Sequence, residues 1–303
     1  MLLKKLLDDY RDADRIINQK NVFAQIDTRE IKNIIAKLFK IIYPGFFLER
    51  EYRFVDLSSQ ITVVIEDVMF NLTKQIALAL PQNPVNKEKS TSELEEEARQ
   101  ICEEFFGRLP KVREYLESDI QAFFDGDPAA FNYNEIILCY PGLYTITVNR
   151  IAHELFLLGV PLIPRIMTEQ AHSITGIDIH PGASIGKYFF IDHGTGTVIG
   201  ETTVIGDHVK VYQGVTLGAL STSKGQKLKG IKRHPTIEDN VIIYSGASIL
   251  GGETVIGSGA VIGGNVFITS SIEPGVKVSL KNPDLNFRIQ GGYGAADEDT
   301  DFQ

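Results

Sequence analysis

His193 follows Asp192 directly in the run Asp192-His193-Gly194-Thr195-Gly196. An imidazole, with an ordinary pKa of about 6.5, suits proton abstraction near neutral pH. A carboxylate on its other ring nitrogen would fix the tautomer and stabilise the imidazolium formed on reaction. Asp178, about one coil turn earlier in the repeat described below, is the candidate for that position. Further on, Ala219 to Arg233 carries Lys224, Lys227, Lys229, Lys232 and Arg233 and no acid. Five cations in fifteen residues, within a chain of net charge −9, form a local anion-attracting patch. A phosphate-bearing cosubstrate would use the lysines, and Arg233 suits two-point binding of a carboxylate. The competing readings are a solvated loop for the lysines and a surface turn for His193.

Other chemistries leave no signature. The histidines are His153, His172, His180, His193, His208 and His234, and no two are closer than eight residues. Paired metal-ligand spacing is therefore missing, and no metal is expected within one chain, although a site assembled across subunits stays open. Neither a phosphate-binding Gly-Lys-Ser/Thr loop nor a nucleophile elbow occurs. Cys102 and Cys139 lie 37 apart, which is not a metal spacing and fits a reduced, cytoplasmic protein.

The elements that must position these residues are legible from a repeat. Aliphatic residues recur every six positions at Ile179, Ile185 and Ile191, then at Ile199, Ile205, Val211 and Leu217. The pattern resumes at Ile237, Ile243 and Ile249, and again at Ile256, Ile262 and Ile268. A period of six is neither a simple strand nor a helix. It fits short parallel strands winding into a three-faced coil, each turn pairing with the one before. Gly follows the aliphatic residue at 186, 200, 206, 218, 257 and 263, where it is expected to allow a turn geometry that a Cβ would obstruct. The phase breaks between Ile191 and Ile199, between Leu217 and Ile237, and between Ile249 and Ile256 are where a site can be built.

The chain changes architecture near residue 172: residues 1–172 hold 5 of the 27 glycines. The first part reads as helices. Ile31, Ile34, Ile35, Leu38, Ile41 and Ile42 form an apolar stripe, and Leu94, Ala98, Ile101, Phe105 and Phe106 form another after Ser92 as a cap. Asp127-Pro128-Ala129 reads as a helix start. Tyr140 to Val160 reads as a buried helix ended by Pro161 and Pro164. The divisions are a helical region at 1–172, a coil at 173–281 and a flexible acidic tail at 282–303. The net charge and pI of about 5.3 argue against nucleic acid, and no run of 18 apolar residues offers a membrane span.

Five segments together resemble the serine O-acetyltransferase family of hexapeptide-repeat acyltransferases. They are Asp178-Ile179-His180-Pro181, Asp192 to Gly196, Gly200-Glu201-Thr202, Gly214 to Gly218 and Arg233-His234-Pro235. Asp127-Pro128-Ala129 and Arg150-Ile151-Ala152-His153 extend the resemblance into the helical part, so that it covers roughly residues 95–280. It implies an α+β fold: an all-α helical N-terminal domain followed by a left-handed parallel β-helix. It implies transfer of an acetyl group from acetyl-CoA to the hydroxyl of L-serine, the first reaction of cysteine synthesis from serine. His193 would be the general base and Asp178 its orienting partner. Asp127 and Asp192 would bind the substrate ammonium, and Arg233 and His234 its carboxylate. CoA would lie near Gly218, Ala219 and Ser245, with its phosphates near Lys224, Lys227 and Lys229. Trimers, or hexamers made of paired trimers, are implied, with sites between chains, and L-cysteine is expected to compete with serine. The ending Asp301-Phe302-Gln303 differs from the isoleucine that the family inserts into cysteine synthase, which argues against that complex. An acyltransferase acting on another amino acid or a sugar hydroxyl is the alternative. A metal-dependent lyase and a non-catalytic scaffold on the same coil stand further back.

Overall fold

The computed structural model describes residues 2–10, 25–47, 56–223 and 225–281. Lys224 and the tail expected at 282–303 lie outside the described residues. The helices are α1 (Leu2–Tyr10), α2 (Thr28–Ile42), α3 (Leu57–Ala79), α4 (Thr91–Gly126), α5 (Tyr133–Cys139), α6 (Pro141–Leu157) and α7 (Ile163–Thr175). In α2 the isoleucine stripe is buried, as its spacing required.

The helix ends correct three expectations. The cap of α4 is Ser90, not Ser92: its side chain accepts from the Glu93 amide while the Glu93 carboxylate accepts from the Ser90 amide. Asp127 ends α4 and starts no helix: Oδ1 accepts from the Ala129 amide at 2.8 Å, and the Ala130 amide closes a turn on the Asp127 carbonyl. An acidic residue before Pro suits such a turn as well as a cap. Pro164 does not end α6, but sits in the first turn of α7, where its missing N–H has no helical partner to lose.

From Asp178 the chain winds into a parallel β-solenoid of five turns. The first holds β1 (Asp178–Ile179), β2 (Ser184–Ile185) and β3 (Phe190–Asp192), and the second β4 (Val198–Ile199), β5 (Val204–Ile205) and β6 (Lys210–Tyr212). The third holds β7 (Thr216–Gly218), β8 (Thr236–Ile237) and β9 (Ile242–Ile243). The fourth holds β10 (Ser248–Leu250), β11 (Val255–Ile256) and β12 (Val261–Ile262), and the fifth β13 (Phe267–Ile268) and β14 (Lys277–Val278). The three faces are the sheets β1-β4-β7-β10-β13, β2-β5-β8-β11 and β3-β6-β9-β12-β14. Registers place the repeated aliphatics on top of one another: Ile179 on Ile199, Ile199 on Leu217, Leu217 on Ile249, Ile249 on Ile268. This column is buried in the coil interior, at roughly 1.5–3 kcal/mol per fully buried side chain.

The glycines after the aliphatics stand where a Cβ would be obstructed, as expected, and the obstruction does not come from a left-handed backbone. None of the six has a positive φ. They are needed because the next turn of the coil is too close: a Cβ on Gly186 would lie 2.5 Å from the Gly206 carbonyl oxygen, and one on Gly257 2.4 Å from the Pro274 nitrogen. The left-handed corners are held elsewhere, by Tyr188, His193, His208, Asn240 and Asn265 among others.

Candidate active site

The kink after β3 is built to push a side chain outward. His193 has φ +56, Gly194 follows at φ +80, and the Gly194 amide closes back on the Asp192 carbonyl. A Cβ on Gly194 would lie 2.5 Å from Ile177 Cδ1, so only Gly lets the bend press against the core. The His193 side chain is left 74% exposed, with Nε2 3.7 Å from Asp192 Oδ1. That contact is too long for a hydrogen bond, so the ring can turn toward an incoming group.

The helical part brings Asp127 to this kink. Two glycines allow the approach: a Cβ on Gly126 would meet the Phe190 ring at 2.8 Å, and one on Gly142 the Ile191 carbonyl oxygen at 2.6 Å. Phe123 fills the junction edge-on to Phe190, with centroids 4.9 Å apart. Asp127 Oδ2 accepts a 2.6 Å hydrogen bond from the Tyr140 hydroxyl. That bond, the Ala129 amide and the charge available on His193 hold the Asp127 carboxyl below the usual range. Burial, with Asp127, Glu135 and Asp192 nearby, keeps the Tyr140 phenol protonated well above its ordinary pKa.

Arg233 and His234 lie elsewhere on the coil. They enter β8 beside Glu201 and Thr202, which leave β4. The Arg233 guanidinium pairs with Glu201 Oε2, and the Arg233 amide donates to Thr202 Oγ1 at 2.9 Å. Although burial opposes it, the Arg233 hydrogen bond and charge keep the Glu201 carboxyl below its ordinary range. His234 is buried, and its Nδ1 accepts from the Thr202 amide at 3.1 Å. Nδ1 therefore carries no proton, and the neutral ring holds its proton on Nε2. Burial first, then the Arg233 charge, pull its pKa down to about 4. The expected carboxylate pair is thus one cation and one neutral donor.

The expected site residues occupy two edges of the face formed by β1, β4, β7, β10 and β13. His193 stands at the edge where the chain enters β4. Ser245 lies at the same edge higher up, where the Gly246 amide bonds Gln213 and the Asn265 amide bonds Ser245. Gly218, Ala219, Arg233 and His234 stand at the edge where the chain leaves the face. At about 3.3 Å per residue, the strands keep these edges on the order of 10 Å apart. That span exceeds what the charged ends of one small amino acid can bridge.

Asp178 opens β1, at the edge of the face where the kink brings the chain into β4. The register places Val198 one turn above it. The Asp178 carboxylate faces Arg165, with Nη1 at 3.7 Å from Oδ1. Glu169, His172 and Asp178 offer ligand atoms within 4.8 Å of one another, a grouping that histidine spacing did not disclose. Arg165 pairs with Glu169 as well as facing Asp178, and so supplies the positive charge there.

Within the basic loop, Lys227 and Lys229 are exposed. Lys232 is not a free cation: its ammonium donates to the carbonyls of Thr202, His234 and Pro235. Burial lowers its pKa, and it ties down the root of the loop. Counting charges could not separate it from its neighbours.

Residues 69–147 match the family model described as Serine acetyltransferase, N-terminal. Over 278 residues the chain is 44% identical to the plasmid serine acetyltransferase of Synechococcus elongatus, covering 89% of this chain and 87% of that one. The chain belongs to the serine acetyltransferase family. The crystal structure of serine acetyltransferase isoform 3 from Entamoeba histolytica, in complex with cysteine, superposes with a TM-score of 0.72 at 33% identity, covering 95% of each chain. The Neisseria gonorrhoeae serine acetyltransferase in complex with serine does so at 0.54 and 27%, covering 87% of this chain and 99% of that one. The sequence motifs include Glu201 and Thr202 but assign them no role, and they leave Tyr140 unmarked. Tyr140 sits in an apolar run and carries no charge pattern to mark it.

Proposed function

We propose that this chain is a serine O-acetyltransferase, moving an acetyl group from acetyl-CoA to the hydroxyl of L-serine. The observation that carries the reading is the outward-facing His193 on a left-handed kink, with the carboxylates of Asp192 and Asp127 beside it. Two carboxylates next to an exposed imidazole suit an acceptor with an ammonium close to its hydroxyl. His193 takes the hydroxyl proton as the oxygen attacks the thioester carbonyl, and the CoA sulfur leaves and receives the proton. Such general-base assistance is worth about 10²–10⁴-fold. Asp178 orients the imidazolium once the ring turns, releasing Arg165.

Arg233 and His234 hold the serine carboxylate. Because they stand on the other edge of the face, the site is completed by a second copy, its cation edge meeting the His193 edge of the first. Three coils around one axis give three such sites, and pairing of trimers through the helices gives a hexamer. Gly218, Ala219 and Ser245 line the CoA path, and Lys227 and Lys229, with Lys224, attract its phosphates. Cysteine, a thiol in place of a hydroxyl, competes at the serine position, in keeping with the cysteine complex of the Entamoeba relative. No described helix is long and apolar enough to cross a membrane, which is compatible with work in the cytoplasm.

Thiol release from acetyl-CoA with a panel of hydroxyl acceptors tests the proposal. L-serine is expected to be the best acceptor, and His193→Asn, which tolerates the positive φ, is expected to lose at least ~10²-fold in kcat. A sugar or another amino acid as best acceptor would shift the reading to a different acyltransferase. Full activity in His193→Asn would remove the base.

A further inference from the structure

Asp127 is held at both oxygens before any substrate arrives. Oδ1 accepts from the Ala129 amide at 2.8 Å and Oδ2 from the Tyr140 hydroxyl at 2.6 Å. The backbone bond comes from the turn that ends α4, so it moves with Asp127 itself. The phenol comes from a different place, the junction between α5 and α6, where Tyr140 caps one helix and starts the next. Its ring packs against Phe123, with centroids 6.0 Å apart at 75°, and Phe123 packs against Phe190 two residues before Asp192. A line of rings therefore ties the Tyr140 hydroxyl to the strand that carries the kink.

We infer that Tyr140 is a positioning residue for acceptor binding: its hydroxyl fixes the Asp127 carboxylate in one orientation beside His193. The inference rests on the serine acetyltransferase reading, in which Asp127 meets the acceptor ammonium. The phenol acts as a donor throughout, since burial and its carboxylate neighbours keep it protonated. Each Asp127 oxygen spends one lone pair on a protein donor and keeps another for the ammonium. Without the hydroxyl, the carboxylate keeps a single anchor and turns about its last torsion. Ordering it again is then charged against acceptor binding. Acetyl-CoA, which has no ammonium to meet, is indifferent to the change.

The test is Tyr140→Phe, which removes one oxygen and leaves the ring contact with Phe123. Loss of a hydrogen bond to a charged group predicts a rise of about tenfold or more in the KM for serine. The KM for acetyl-CoA is expected to stay within about twofold, and kcat to change less than the serine KM. In an Asp127→Asn background the same substitution is expected to add less than about twofold, because the two act as one unit. Equal loss for both substrates, or a full further loss in the Asp127→Asn background, assigns Tyr140 a merely structural role and overturns the inference. Should Tyr140→Phe prove unstable, Asp127→Asn alone must raise the serine KM, and an unchanged value leaves Tyr140 nothing to position. A wild-type protein that ignores serine refutes the serine reading. An active wild type with an unchanged Tyr140→Phe refutes this inference alone.

Discussion

Arg150 on α6 grips Asp119 on α4 with two parallel hydrogen bonds, Nε to Oδ2 at 2.6 Å and Nη2 to Oδ1 at 2.8 Å, and Asp119 is fully buried. The same guanidinium donates to the carbonyls of Ile185 and Gly186 at 3.1 and 2.7 Å, and the Phe189 amide donates back to Asp119. One buried pair thus joins two helices to the first turn of the solenoid. Removing either partner strands a charge and leaves backbone groups unpaired. Arg150→Met is expected to cost about 3–5 kcal/mol of stability, read from chemical denaturation. A loss below about 1 kcal/mol would show that the pair contributes little beyond its shape.

Gly142 sets how closely α6 approaches the kink. Gly142→Ala would press a methyl onto the Ile191 carbonyl at 2.6 Å, and backbone cannot swing aside as a side chain can. The expected cost is about 1–3 kcal/mol. The helix carrying Tyr140 and the turn carrying Asp127 should move from His193, and kcat/KM for serine should fall by about tenfold or more. Thiol-release kinetics beside a thermal melt check both, and unchanged kinetics would mean the junction does not set the site.

Thr203 hides a hydroxyl inside the coil with no hydrogen-bond partner among the described residues. An unpaired buried polar group is destabilising, and an apolar group of the same shape avoids that loss. Thr203→Val is therefore expected to be neutral or to stabilise by about 1 kcal/mol, seen as a higher Tm. A clear loss of stability would reveal a partner for the hydroxyl, such as a trapped water.

The depressed pKa of His234 links stability to pH. Its ordinary value near 6.5 falls to about 4 in the fold, so between these values the unfolded chain binds more protons. Stability must rise with pH across that window and be lost as pH falls from about 6.5 towards 4, by up to about 3 kcal/mol. His234→Gln should flatten this part of the Tm-against-pH curve. An equal slope in both proteins would assign the dependence to other groups.

How much of this was legible beforehand follows from where each signal sits. The solenoid was legible because a six-residue phase leaves its mark on the interior column from Ile179 to Ile268, whatever the surface does. The kink was legible as a break in that phase. The contact between Asp178 and Arg165 is not legible, because no local period links the residue that opens β1 to one on α7. The glycines after the aliphatics were legible as places that a Cβ would obstruct, but the atoms it would meet belong to the next turn of the coil and leave no local mark. Asp127 and Pro128 fit a helix start and a helix end equally well by residue type. Tyr140, Glu201 and Lys232 were invisible in these roles because a hydroxyl on a carboxylate or an ammonium on three carbonyls is a long-range contact with no local period.

The register across the basic loop has a consequence for the chain's plasticity. Val204 pairs with Thr236 and Ile205 with Ile237 as if nothing lay between β7 and β8. Lys232 pins the returning strand to Thr202 just before that pairing begins. The excursion is therefore a detachable module: its length and composition can drift, or be exchanged wholesale, while the scaffold beneath keeps its pitch.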